Sequence, residues 1–202
     1  MRLKSILGYA AAVFAMLTVM LFIGWWQVDG PGSPEPSQQK SIFLPAMNFS
    51  LTDHEGNKVD PGTLNGRPTM VFFGFTYCPD VCPTTLSNIS GWLDEIGQDA
   101  EQLNVVFITV DPKRDTGEAM AEYVSNFHPA IRGWTGSEEE IAQAARDFNA
   151  TYEKVETESG DYSINHTASV FVFNAKGHLA STIDYHEPRE VAVPKIRRAM
   201  GI

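Results

Sequence analysis

The sequence is short of cysteine and of positive charge. Only Cys78 and Cys82 carry thiols in 202 residues. Any sulfur chemistry is therefore confined to one C-x-x-x-C pair, a pattern compatible with an oxidising compartment. Lysine and arginine number 15 against 25 aspartates and glutamates, a formal net charge of −10. That balance argues against nucleic acid as a partner, and an acidic surface reads first as a source of solubility. No internal repeat is present. The methionines are scattered along the chain rather than clustered, which argues against a methionine-rich metal site.

Charge is also missing from Ser5 to Val28, and the uncharged run from Ile6 to Gly24 is long enough to span a bilayer. Arg2 and Lys4 precede it and Asp29 follows. The positive-inside rule then predicts a cytoplasmic N-terminus and an extracytoplasmic remainder, with Trp25 and Trp26 at the far interface. No small-x-small cleavage site follows the run, so an uncleaved anchor is expected over residues 1–28 rather than a signal peptide. No Arg- and Ser-rich transit peptide precedes it, which favours a bacterial inner membrane. Residues 29–40 are rich in Pro, Gly and Ser, cannot bury apolar surface, and read as an extended linker. The globular domain is expected over residues 41–202.

Within that domain, Thr69–Phe75 and Val105–Val110 are apolar on both faces and predict strands in the middle of a covered sheet. Phe49–Thr52 and Lys58–Val59 flank a hairpin turn. Leu86, Ile89, Leu93 and Ile96 recur at helical spacing just after the cysteines. Thr116 is a candidate cap for a helix with Met120, Tyr123, Val124 and Phe127 on its buried face. Ser137 and Glu140 form a capping box for another, whose stripe is expected to carry Ile141, Ala145, Phe148 and Tyr152. Ser169–Phe173 and a partner ending near Ile183 predict an antiparallel pair. A last helix follows, with Pro194 in its first turn. Strand–helix–strand–helix, then a hairpin and a terminal helix, is a thioredoxin-like α/β order.

The cysteines fall where the strand Thr69–Phe75 turns into a helix. With Cys82 in the first helical turn, Cys78 lies about one turn before it on the same side. Free N–H groups and the positive end of the helix dipole favour the thiolate there. A structural disulfide is disfavoured, because so short a loop removes little chain entropy. A thioredoxin-type redox pair is C-x-x-C, one residue shorter. Metal binding needs a further ligand, and soft thiolates select Cu(I) among the common ions. His166 is the candidate, in the polar segment Asp161–Thr167, read as the loop that enters the strand beside the cysteine turn. His54, His128, His178 and His186 are expected to be exposed.

The segments GFTYCPDVCPTTL, VDPKRDT, FHPAIRGWTGSEEEIAQAA and INHTASVFVFNAKG resemble those of the SCO/SenC family, membrane-anchored copper proteins linked to cytochrome c oxidase assembly. The resemblance runs in order over most of Phe49 to Ile183. It implies Cys78, Cys82 and His166 as copper ligands. It also implies that Asp111, Pro112 and Asp115 match a run of acidic residues that act structurally or one step removed from the metal. The family usually places an acidic residue immediately before the histidine, and here it is Asn165. The implied function is a metallochaperone that delivers copper to the dinuclear copper centre of a cytochrome c oxidase subunit. Its partners would be that subunit and an upstream copper donor or thiol reductant. The alternative is a thiol–disulfide oxidoreductase that reduces the cysteines of the same subunit. A peroxidase of the peroxiredoxin type would need an arginine beside the cysteine, and the cysteine turn offers none.

Overall fold

The structure, a computed structural model, describes residues 2–28, 42–157 and 160–202. The chain divides into two compact units, 1–40 and 41–202. The linker expected at 29–40 lies outside the described residues.

The first unit is the helix α1 (Arg2–Val28). Its segment Ile6–Gln27 has 22 residues, and the most apolar window has a mean hydropathy of 2.4 with none of it buried. At 1.5 Å per residue such a segment spans about 33 Å, enough for a hydrocarbon core of about 30 Å. By length and composition it can cross a membrane.

The second unit is a seven-stranded mixed sheet with helices on both faces. In chain order its elements are β1 (Leu51–Asp53), β2 (Lys58–Val59), β3 (Thr69–Gly74), α2 (Val81–Ile96), β4 (Asn104–Thr109), α3 (Gly117–Val124), β5 (Ile131–Thr135), α4 (Glu138–Asp147), β6 (Tyr152–Glu156), β7 (Tyr162–His166), β8 (Val170–Phe173), β9 (Leu179–Ile183) and α5 (Arg189–Met200). Short 3-10 turns cover Leu44–Ala46, Pro61–Leu64 and Gly97–Gln102. The strand order is β2-β1-β5-β4-β3-β8-β9, with β3, β4 and β5 parallel and the outer pairs antiparallel. This is the expected thioredoxin-like α/β arrangement.

Every residue of β3 is buried, as strands covered on both faces require. Alternation divides its side chains. Phe73 faces Phe148, at the end of α4, and Phe171. Phe72 faces Phe107, which in turn meets Tyr123 of α3. The caps act as the sequence indicates: Thr116 accepts from the Ala119 amide, and Ser137 and Glu140 close a reciprocal capping box.

Three expectations are corrected. Tyr152 is not on the α4 stripe. The helix stops at Asp147, Asn149 turns left-handed at φ 54, and the amides of Asn149 and Ala150 return to the Arg146 and Ala145 carbonyls. That is a Schellman closure with asparagine in place of glycine. Tyr152 instead opens β6, which pairs antiparallel with β7 as a separate hairpin, so Asp161–Thr167 is mostly strand rather than loop. Pro194 lies inside α5 and not in its first turn, because Pro188 caps the helix. The exposed position of Pro194 lets its ring face solvent.

At the end of β3 the backbone approaches α2 so closely that only glycine fits. A Cβ on Gly74 would lie 2.7 Å from both Cys82 Sγ and Phe107 Cε2. Gly74→Ala is therefore expected to destabilise the fold by about 1–3 kcal/mol, the usual effect of overpacking a core. Chemical denaturation measures this, and an unchanged midpoint would contradict the packing.

Candidate metal centre

The chain leaves β3 at Gly74, crosses a short turn, and enters α2 at Val81. The turn is fixed from below by Asp115, a carboxylate with no solvent exposure. It accepts the Thr76 amide at 3.0 Å, the Thr76 hydroxyl at 2.6 Å and the Thr109 hydroxyl at 2.5 Å. Burial raises the pKa of Asp115 above the usual carboxylate range, and the Thr109 and Thr76 hydrogen bonds oppose that rise. Asp111 is equally buried and pairs with Arg114. The acidic residues of the VDPKRDT segment thus act as supports, and neither belongs to the group of potential metal donors.

Cys82 is fully buried in the first turn of α2, and Cys78 is half-buried before it; both are free thiols. Asp80, the residue before the helix, makes no side-chain capping bond. The Cys82 amide instead donates to Cys78 Sγ at 3.4 Å. A sulfur thus occupies the place where a helix N-terminus favours negative charge. The Cys78 thiol is pulled down to about 4, first by the hydrogen bond from Cys82, against burial, and then by the nearby backbone amides. Cys82 is pushed strongly up, because its proton is held between the two sulfurs and because it is buried. At neutral pH the pair is one thiolate and one thiol sharing a single proton.

His166, the last residue of β7, completes the group. Its Nε2 lies 3.3 Å from Cys82 Sγ, and its Nδ1 lies 3.0 Å from the Thr167 carbonyl oxygen. The carbonyl can only accept, so Nδ1 carries the proton and Nε2 keeps its lone pair toward the sulfurs. Phe75 and Phe72 hold the ring edge-on at centroid distances of 5.9 and 6.0 Å. The two sulfurs and an imidazole nitrogen all lie within 4.8 Å of one another. Two soft donors and one borderline donor suit a thiophilic ion of low coordination number. Without an ion, the same sulfurs can close a disulfide.

Asn165 is exposed on the opposite face of β7 from His166, and the imidazole is oriented by Thr167 instead. The remaining histidines do not join the site. His178 and His186 are exposed, as expected. His54 and His128 are not: both are half-buried, because His54 Nδ1 accepts the Gly133 amide and His128 Nδ1 accepts the Ala130 amide, each at 3.1 Å. The cysteine turn itself carries no arginine, yet the fold brings one to it. The Arg114 guanidinium stands 4.8 Å from the ring centroid of Tyr77, beside Cys78, and 3.9 Å from that of Tyr162 on β7. Sequence reading missed this stack, since 48 residues separate Arg114 from Tyr162. The only signal was the position of Arg114 within VDPKRDT.

A family model described as SCO1/SenC matches residues 37–201 of the chain. A Danio rerio protein described as "Protein SCO2 homolog, mitochondrial" is 34% identical over 184 residues, covering 85% of this chain and 65% of that protein. The chain thus spans less than two thirds of that relative's length. The structure of Bradyrhizobium japonicum ScoI with copper bound is 40% identical, with a TM-score of 0.70 over 75% of this chain and 97% of that one. BsSco, described as a member of the Sco family of cytochrome c oxidase assembly proteins with a disulfide switch, shares the fold. Its TM-score is 0.62 at 19% identity, over 79% of this chain and 94% of that one.

Alkylation of the folded, reduced chain tests the shared proton. Cys78 should react with iodoacetamide at a rate that is half-maximal near pH 4, against a usual value of 9.0, and flat through neutral pH. Cys82 should stay protected. A rate climbing about tenfold per pH unit between pH 6 and 8 would show an ordinary thiol.

Proposed function

Because the chain belongs to the SCO1/SenC family, we propose that it is a membrane-anchored, extracytoplasmic metallochaperone for copper. Copper is its cargo, delivered to the dinuclear copper centre of a cytochrome c oxidase subunit. The observation that carries this reading is the convergence of Cys78 Sγ, Cys82 Sγ and His166 Nε2. Cys78 is already a thiolate, and Cys82 gives up its proton when the ion binds. With three donors the coordination stays open to an incoming thiolate. Transfer is then a ligand exchange, in which each new copper–sulfur bond forms as one to Cys78 or Cys82 breaks, with no change in oxidation state. Structural zinc, by contrast, takes four protein ligands, and the group here offers three. The other partner would be an upstream copper donor or thiol reductant.

In this reading residues 1–28 form the anchor, 29–40 the linker and 41–202 the copper-binding domain. Arg2 and Lys4 hold the N-terminus in the cytoplasm of a bacterium, and the domain lies beyond the inner membrane. A reporter active only outside the cytoplasm, fused after Ile202, should be active. Activity of a cytoplasm-dependent reporter at the same place would reverse the topology.

A second reading is favoured by the low pKa of Cys78 and its contact with Cys82. The pair would give two electrons and its one proton to a disulfide of the recipient, itself closing a disulfide and leaving the recipient as one thiol and one thiolate. His166 separates the two readings, because a metal site requires it and thiol exchange does not. The reduced chain in detergent should bind one Cu(I), measured by competition with a Cu(I) chelator. Cys78→Ser and Cys82→Ser should each abolish tight binding. His166→Ala should weaken it by at least about tenfold, the lower limit seen even for residues that only orient a ligand, while changing thiol oxidation far less. Asn165→Asp should change affinity by less than the His166 variant does. Unchanged copper affinity in His166→Ala would move the oxidoreductase reading ahead.

A further inference from the structure

The element that carries His166 stands apart from the main sheet. The β6–β7 hairpin pairs only with itself, and a two-stranded ribbon of this kind is marginal without further support. β6 contributes no buried residue. On β7 the residues Tyr162, Ile164 and His166 share one face, by the strand period of two. Ile164 is buried in the core and His166 reaches Cys82. Tyr162, at the other end of the strand, is held by the loop after β4. Its hydroxyl donates to Asp111 Oδ1 at 2.9 Å. The Arg114 guanidinium lies over its ring with Cζ 3.9 Å from the centroid, and Nη1 donates to its backbone carbonyl at 3.3 Å. The same guanidinium pairs with Asp111 and lies against Tyr77, the neighbour of Cys78. One partly buried ion pair therefore touches both the cysteine turn and the histidine hairpin.

We propose that Tyr162, held on Asp111 and Arg114, is a positioning residue that docks the β6–β7 hairpin and so sets His166 against the two sulfurs. This rests on the metal-binding reading above. The Arg114 Nη2 group is buried with no hydrogen-bond partner among the described residues. Leaving a buried donor unpaired is unfavourable, so the guanidinium is placed for its stack between Tyr77 and Tyr162 rather than for a full set of hydrogen bonds. A docked hairpin presents Nε2 at bonding range. An undocked hairpin leaves the ion on two sulfurs alone. Tyr162 never touches the metal, so its effect must pass through His166.

The test is a double-mutant cycle on the full chain in detergent, read as Cu(I) affinity by chelator competition. Tyr162→Phe keeps the ring and its stack but removes the hydroxyl from Asp111. It should lower affinity about tenfold, in the range of residues that orient a ligand, and should have no further effect when His166→Ala is already present. Equal losses in both backgrounds, or no loss in the first, would overturn the proposal. Hydrogen exchange on the metal-free chain gives a readout independent of copper. Tyr162→Phe should speed exchange in β6 and β7 and leave β3 and β4 protected; unchanged hairpin protection also overturns it. Failure of the parent chain to bind Cu(I) would sink the metallochaperone reading itself, and the exchange result would still decide whether Tyr162 docks the hairpin.

Discussion

Asp115 places a carboxylate where water does not reach, and three donors from two other segments meet it there. Thr109 ends β4, Thr76 begins the cysteine turn, and Asp115 itself leads into Thr116, the cap of α3. A buried carboxylate is tolerated only when it is hydrogen-bonded, so the three segments hold one another in place. The cysteine turn inherits its geometry from this point. Its far end is fixed by α2, which presses Cys82 against the glycine at the end of β3. Between these two fixed ends the chain has little freedom, and Cys78 is delivered to the amide of Cys82.

That placement decides the electronics. One sulfur takes the negative charge that the helix N-terminus favours, and the other keeps a proton in a buried position. The pair is poised between two outcomes that differ only in what arrives. In the proposed function a soft cation would displace the remaining proton and bind both sulfurs, whereas an oxidant would take two electrons and join them with release of that proton. His166 biases the first outcome, because its free nitrogen adds a donor for a cation and has no part in a disulfide bond. It comes from a hairpin outside the main sheet, whereas the sulfurs belong to the core. The sulfur half of the site is therefore built in, and the nitrogen half depends on how the hairpin docks.

The division between core and hairpin also explains what the sequence reveals. β3 and β4 are runs of buried apolar residues, and the Thr116 and Ser137 caps lie within three residues of their partners, so local pattern suffices for all of them. The C-x-x-x-C pair at a strand-to-helix turn is legible for the same reason. The β6–β7 hairpin is not, because β6 is exposed without apolar alternation and β7 alternates only over Tyr162 and Ile164; Tyr152 falls four residues after Phe148 and mimics a helical stripe. The half-buried His54 and His128 and the stack of Arg114 between Tyr77 and Tyr162 are long-range or backbone-directed contacts. No periodicity encodes them. His166 is legible through its residue type and its place before β8, although the segment that carries it is a strand and not a loop.

The proposed site takes three donors, two from the core and one from the hairpin. X-ray absorption at the copper edge, on the reduced full chain carrying one equivalent of Cu(I), tests it most directly. Two sulfur neighbours and one imidazole nitrogen are expected, with the nitrogen lost in His166→Ala. A wild-type spectrum with sulfur neighbours alone would contradict it.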